Sequence, residues 1–163
     1  RPWCMVNNAG DVAPHGVGTG GVGAGIVLDR NAVLDRAVGL APLLKATRGC
    51  IVNVGSLAAF LALKEVAAYT ASKAGLLGLT RAAAKELGGF GITINAVCPG
   101  MIDTELTHEN ASPELLERLA ASFPVRRLGT SLEVADLICF VASEAAGYMT
   151  GTSLDINGGD LMM

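Results

Sequence analysis

Within Ala67-Ala68-Tyr69-Thr70-Ala71-Ser72-Lys73-Ala74-Gly75, a tyrosine and a lysine stand four residues apart. If the segment is helical, both side chains lie on one face and can meet at one site. A cation beside a phenol favours the phenolate, which brings tyrosine toward the range where a group can give and take a proton near neutral pH. Taken alone, the same spacing also describes a solvated helix face. A third group gives it company. Ser56 follows the apolar run Ile51-Val52-Asn53-Val54-Gly55 and precedes Tyr69 by thirteen residues. The end of a strand in an open α/β sheet is where a hydroxyl is presented to a ligand.

The elements that must position these groups follow from periodicity. Trp3 to Val6, Cys50 to Val54, Ile92 to Val97 and Ser153 to Ile156 are short apolar runs that read as strands. Their near-continuous apolar character predicts strands covered on both faces, as in a parallel sheet. Helical patterns run from about Ile26 to Thr47, from about Ala67 to Leu87, from Pro113 to Ser122 and from Leu132 to Ala142. Ser112 before Pro113 sets a cap ahead of a first-turn proline, and Thr130 with Glu133 forms a capping box. Pro42 is expected to kink or end the first helix. The order of elements is that of an α/β protein with a doubly wound, Rossmann-like parallel sheet.

Gly16 to Gly25 carries glycine at six positions and includes a literal GxGxxG at Gly16 to Gly21. The dinucleotide-binding use of that motif needs a strand running directly into the glycine turn and a helix starting within it. Here the preceding strand ends near Gly10 and Asp11 to His15 intervenes, so the stretch reads as a glycine-rich loop or a loosened helix start.

The 163 residues are 51% hydrophobic and 17% charged, with a mean hydropathy of +0.47, which is enough apolar material for one core and excludes a disordered polyelectrolyte. A net charge of −3 offers no basic face, so nucleic acid is not an expected partner. No apolar run reaches the roughly 18 to 20 residues a bilayer needs, and Arg1-Pro2-Trp3 does not open a signal peptide. Membrane association is therefore not expected, and a cytoplasmic location is. Cys4, Cys50, Cys98 and Cys139 lie far apart with no CxxC, and His15 and His108 are the only histidines. The expectation is four buried thiols in a reducing compartment, loop or surface histidines, and no metal.

Taken together, these motifs resemble the short-chain dehydrogenase/reductase family, with a tone similar alike to its acyl-carrier-protein ketoreductase and its sugar or steroid dehydrogenase members. The family's Asn-Asn-Ala-Gly strand end stands at Asn7 to Gly10, its serine at Ser56 and its YxxxK at Tyr69 and Lys73. Its Pro-Gly turn reads Cys98-Pro99-Gly100-Met101-Ile102-Asp103-Thr104, and its closing segment runs from Tyr148 to Gly159. The resemblance implies hydride transfer between NAD or NADP and a small-molecule alcohol or ketone. Tyr69 would be the acid/base at the substrate oxygen, and Ser56 would hydrogen-bond that oxygen. Lys73 would lower the Tyr69 pKa and bind the nicotinamide ribose. Asn31 is the best match to the family's proton-relay asparagine; as a residue alone it reads as an exposed helical side chain. Pro99, Gly100, Ile102 and Thr104 would contact the nicotinamide end. Asn8, Ala9 and Gly10 would line the adenosine side and brace the sheet, or serve the fold alone. The resemblance also implies a homo-oligomer, with the small-sided Ala67 to Leu87 helix helping to build the subunit contact.

Every matched part belongs to the later portion of that family's fold, equivalent to its fourth to seventh strands. The family places a TGxxxGxG turn and further strands roughly 80 residues ahead of the Asn-Asn-Ala-Gly motif, whereas six residues precede Asn7 here. The 163 residues therefore read as a single, partial Rossmann-like domain. Three readings stand open: part of a longer gene product, which is the first expectation; a truncated relative that is catalytically inactive and acts as a structural or oligomerisation module; and a chain that completes its cofactor site with another subunit. The substrate region after Gly100 contains Leu106, Leu115, Leu116, Leu119 and Phe123, which fit either an apolar lid or ordinary helix packing.

Overall fold

The computed structural model describes residues 4–7, 39–61, 64 and 66–162. Four parallel strands form the main sheet: β1 (Cys4–Asn7), β2 (Cys50–Val54), β3 (Thr93–Pro99) and β6 (Ser153–Ile156), in the order β1-β2-β3-β6. Helix α1 covers 39–47, α2 spans Ala67–Leu87, and α3 (Glu105–Asn110), α4 (Pro113–Ser122) and α5 (Ser131–Ala142) lie between β3 and β6. A second, two-stranded parallel ladder pairs β4 (Ile102–Asp103) with β5 (Gly129–Thr130). This is the expected α/β, Rossmann-like architecture.

Apolar burial explains the layering. On one face, Met5, Ile51, Ile92 and Ile94 pack with Leu44 of α1 and Ala84 of α2. On the other, Val52 and Val97 meet Val141 of α5, with Val134, Leu137 and Ile138 around it. β2 and β3 are buried almost throughout, as their apolar runs predict, but β1 alternates between exposed and buried positions. Cys4 and Val6 are exposed; among the described residues, α5 packs mainly over β2 and β3.

The caps form as expected. Ser112 Oγ accepts from the Leu115 amide, and Thr130 and Glu133 exchange both hydrogen bonds of a capping box. Other expectations need correction. The helix continues past Pro42 to residue 47, so the proline does not end it there, and the earlier part of the expected helix, 26–38, lies outside the described residues. The helix α3 and the β4–β5 ladder add elements that periodicity did not announce. Two of the four cysteines, Cys4 and Cys139, are exposed rather than buried, Cys4 at an exposed position of β1 and Cys139 on the outer side of α5. Leu116 and Phe123 are buried in helix packing, whereas Leu106 is exposed. The glycine-rich 16–25 stretch and His15 lie outside the described residues.

Candidate active site

Parallel strands deliver their carboxyl ends to one edge of the sheet, and the candidate residues that the structure describes gather there. Ser56 leaves β2 in extended conformation and caps the short 3-10 turn Leu57–Ala59, its Oγ accepting from the Ala58 amide at 3.1 Å. That contact uses one acceptor lone pair and leaves the hydroxyl proton to be donated elsewhere. Gly55 permits the close approach of this turn to β3. A Cβ at Gly55 would lie 2.8 Å from Cys98 Sγ and 3.2 Å from Leu77 Cδ2, and the Gly55 amide donates to Val97 O at 2.7 Å.

Helix α2 supplies Tyr69 and Lys73. Its buried stripe is Lys73, Leu76, Leu77, Thr80 and Ala84, the spacing of one helix face. Lys73 is therefore a core position occupied by a cation, only 4% exposed. A buried ammonium is costly without hydrogen-bond partners; Lys73 Nζ donates to Val54 O at 3.0 Å. The same nitrogen lies 5.6 Å from the centroid of the Tyr69 ring. Tyr69 sits half-buried in the first turn of α2, and its carbonyl accepts from Ser72 Oγ at 2.8 Å. The i, i+4 pair is thus brought together, and its lysine is tied to the strand that carries Ser56.

Below this group lies Cys98. Burial, then the charge of Asp155, pushes its thiol up to about 11, against the opposing effects of a hydrogen bond from the Ser56 backbone and the charge of Lys73. The thiol stays neutral and serves as floor rather than nucleophile. Burial also raises the carboxyl of Asp155.

Pro99 and Gly100 end β3 on the same edge of the sheet. The Gly100 amide donates to Ile156 O at 3.0 Å, and a Cβ at Gly100 would stand 2.9 Å from the Asn157 Cα, so backbone approach reserves this position for glycine. Ile102 pairs with Gly129, and its carbonyl accepts from Thr107 Oγ1 at 2.6 Å. Thr104 caps α3, its Oγ1 accepting from the Thr107 amide at 3.3 Å. Asn8, Ala9, Gly10 and Asn31 lie outside the described residues.

Two polar side chains that the sequence reading left without a role stand behind the site. Asn53 and Thr80 are buried and joined at 2.9 Å. Their signal was available: an amide inside the apolar run of β2, and a hydroxyl seven residues after Lys73 on the buried stripe. Farther out, His108 Nε2 lies 2.7 Å from Asp103 Oδ1 in an exposed pair. Among the described residues, no group of three or more potential ligands is placed to hold a metal, and no helix is long and apolar enough to cross a membrane.

A family model described as enoyl-(acyl carrier protein) reductase matches residues 28–160. The chain belongs to the short-chain dehydrogenase/reductase family. It is 43% identical over 129 residues to the 3-oxoacyl-[acyl-carrier-protein] reductase FabG of Pseudomonas aeruginosa, covering 79% of this chain and 51% of that protein. It is 38% identical over 130 residues to the human (3R)-3-hydroxyacyl-CoA dehydrogenase, covering 80% and 49%. A solved structure titled as a 4-hydroxyisoleucine dehydrogenase mutant complexed with NADH and succinate superposes with a TM-score of 0.87 at 31% identity, over 96% of this chain and 67% of that one. The chain spans about half the length of the curated relatives it matches. Those relatives are oxidoreductases, which sets the class of chemistry to which the site is compared.

Proposed function

We propose that the protein takes part in NAD(P)-dependent hydride transfer between a nicotinamide cofactor and an alcohol or ketone, with Tyr69 as the acid/base. The observation that carries this reading is the seating of the buried Lys73 ammonium on Val54 O, beside the Tyr69 ring and two residues from Ser56.

The donor set suits the nicotinamide half of such a cofactor. By the family resemblance, Lys73 and the Tyr69 hydroxyl would bind the ribose hydroxyls, Pro99, Gly100, Ile102 and Thr104 would contact the carboxamide end, and Asn8, Ala9 and Gly10 would serve the adenosine side. When bound, the nicotinamide gives or takes the hydride at the reacting carbon. Ser56 donates its hydroxyl proton to the substrate oxygen and holds it in place. Tyr69 gives that oxygen a proton as a carbonyl is reduced, or takes one as an alcohol is oxidised. The Lys73 charge favours the phenolate left behind. By the family resemblance, Asn31 would relay protons to Tyr69. The names of the relatives, a 3-oxoacyl reductase and a 3-hydroxyacyl dehydrogenase, support a 3-oxoacyl or 3-hydroxyacyl thioester as the substrate class.

The family resemblance makes the protein a cytoplasmic homo-oligomer with α2 at the subunit contact, and exposed Leu132 and Phe140 on α5 add apolar surface that a further contact would cover. Titration of the purified, folded protein with NADH and NADPH up to millimolar concentration, followed by cofactor fluorescence, tests the proposal. Saturable binding of one or both is expected. A folded protein that binds neither contradicts it.

A further inference from the structure

Behind the Tyr69–Lys73 pair runs a buried hydrogen-bond chain with one direction. Asn7 Nδ2 donates to Asn53 Oδ1 at 2.9 Å, Asn53 Nδ2 donates to Thr80 Oγ1 at 2.9 Å, and Thr80 Oγ1 donates to Leu76 O at 2.8 Å. Asn7, Asn53 and Thr80 are each 2% exposed or less. Desolvating two amides and a hydroxyl is costly, and an aliphatic core of the same shape would avoid that cost. What the polar chain adds is direction, since a hydrogen bond fixes a distance and an angle that aliphatic contact leaves free to slide.

The placement shows what is fixed. Asn53 and Val54 are consecutive in β2; Asn53 binds Thr80, and the Val54 carbonyl binds Lys73. Thr80 and Lys73 are seven residues apart, about two turns and roughly 10 Å along α2. One strand end thus grips the helix at two levels. Two attachments set both the axial position and the rotation of α2 against β2, whereas Lys73 alone would let the helix pivot. Since β2 continues into Ser56 and α2 carries Tyr69, the same grip sets the serine and the tyrosine relative to each other.

We propose that Asn53 and Thr80 are positioning residues for the Tyr69–Lys73 pair, acting through the axial setting of α2 on β2. The role deepens the hydride-transfer reading and rests on it for its purpose, but the setting itself can be measured without a cofactor.

The experiment reads the acylation rate of Lys73 in the folded protein by a small amine-acylating reagent, with mass-spectrometric readout against exposed Lys45 and Lys85. Thr80→Val removes the hydroxyl at nearly constant shape; Thr80→Ala is read in the same way if the valine variant does not fold. Thr80→Ser keeps the hydroxyl, and Val141→Ala weakens the opposite face of the sheet without touching the chain of hydrogen bonds. Thr80→Val is expected to raise Lys73 acylation about five- to tenfold, the equivalent of one lost hydrogen bond, while Thr80→Ser and Val141→Ala leave it at the wild-type rate. An unchanged rate in Thr80→Val, or an equal rise in Val141→Ala, overturns the proposal. Where turnover is measurable, Thr80→Val should lower kcat more than it raises the cofactor KM. Protected Lys73 with no cofactor binding would remove the functional reading and leave the positioning one.

Discussion

The two faces of the sheet hold their helices in different ways. The α5 face joins Val52, Val97 and Val141 through aliphatic contact with Val134, Leu137 and Ile138. The α2 face interrupts its apolar packing with Asn7, Asn53, Thr80 and Lys73, all buried and hydrogen-bonded. The α5 face has a buried polar residue of its own, Asn95, but it bonds the segment before β6 at Met149 O and Thr152, whereas the Asn53–Thr80 and Lys73–Val54 bonds of the α2 face join helix to strand. The groups proposed for chemistry stand on the α2 face, so polar bonding between helix and strand coincides with the place where a shift of an ångström matters most.

The largest expected effect comes from breaking the polar face. Asn53→Ala leaves the Asn7 amide and the Thr80 hydroxyl without their shared partner, and should lower unfolding stability by about 3 kcal/mol in a urea titration. Cutting the aliphatic face should cost less. Val141→Ala opens a cavity worth about 2 kcal/mol by the same titration, and cofactor affinity should be unchanged, since its loss is spread over contacts that set no angle. If Val141→Ala disturbed the site as much as Asn53→Ala, the contrast between the faces would fail.

The smallest effect is at the edge of the α5 face and depends on pH. Arg127 holds Glu133 through two hydrogen bonds, at 2.6 and 2.9 Å, and with the Thr130 backbone and hydroxyl keeps its carboxyl down at about 2. A carboxyl whose folded pKa lies below its unfolded one adds stability above the unfolded value, near 4.5. That contribution fades as pH falls from there toward 2. The pair is exposed, so the effect is modest and screened by salt. Melting temperatures of the wild type and Glu133→Gln should therefore differ at pH 7 and converge near pH 2; a constant difference across that range would assign the pair no pH-linked role.

Much of this arrangement was legible in the residues. Apolar runs marked β2, β3 and β6, and Ser112 and Thr130 announced their helices because a cap is a local device read within four residues. The spacing of Tyr69 and Lys73 gave their shared face. What stayed hidden is tertiary or short. The polar run Glu105 to Asn110 has no apolar period to reveal α3. The β4–β5 ladder pairs two residues with two, too few for alternation to show. The seat of Lys73 on Val54 O joins residues nineteen apart that no local pattern connects. Asn53 was visible as an amide in an apolar strand, but its meaning required Thr80 opposite it.

Tyr69→Phe tests the central claim most directly. It removes one oxygen and leaves the ring beside Lys73. With a 3-oxoacyl thioester and reduced cofactor, the variant should bind NADH or NADPH within about tenfold of the wild-type affinity, the scale of one hydrogen bond, while turnover falls by at least about a hundredfold, the scale of a lost general acid. Turnover equal to the wild type would contradict the account and remove Tyr69 from the chemistry.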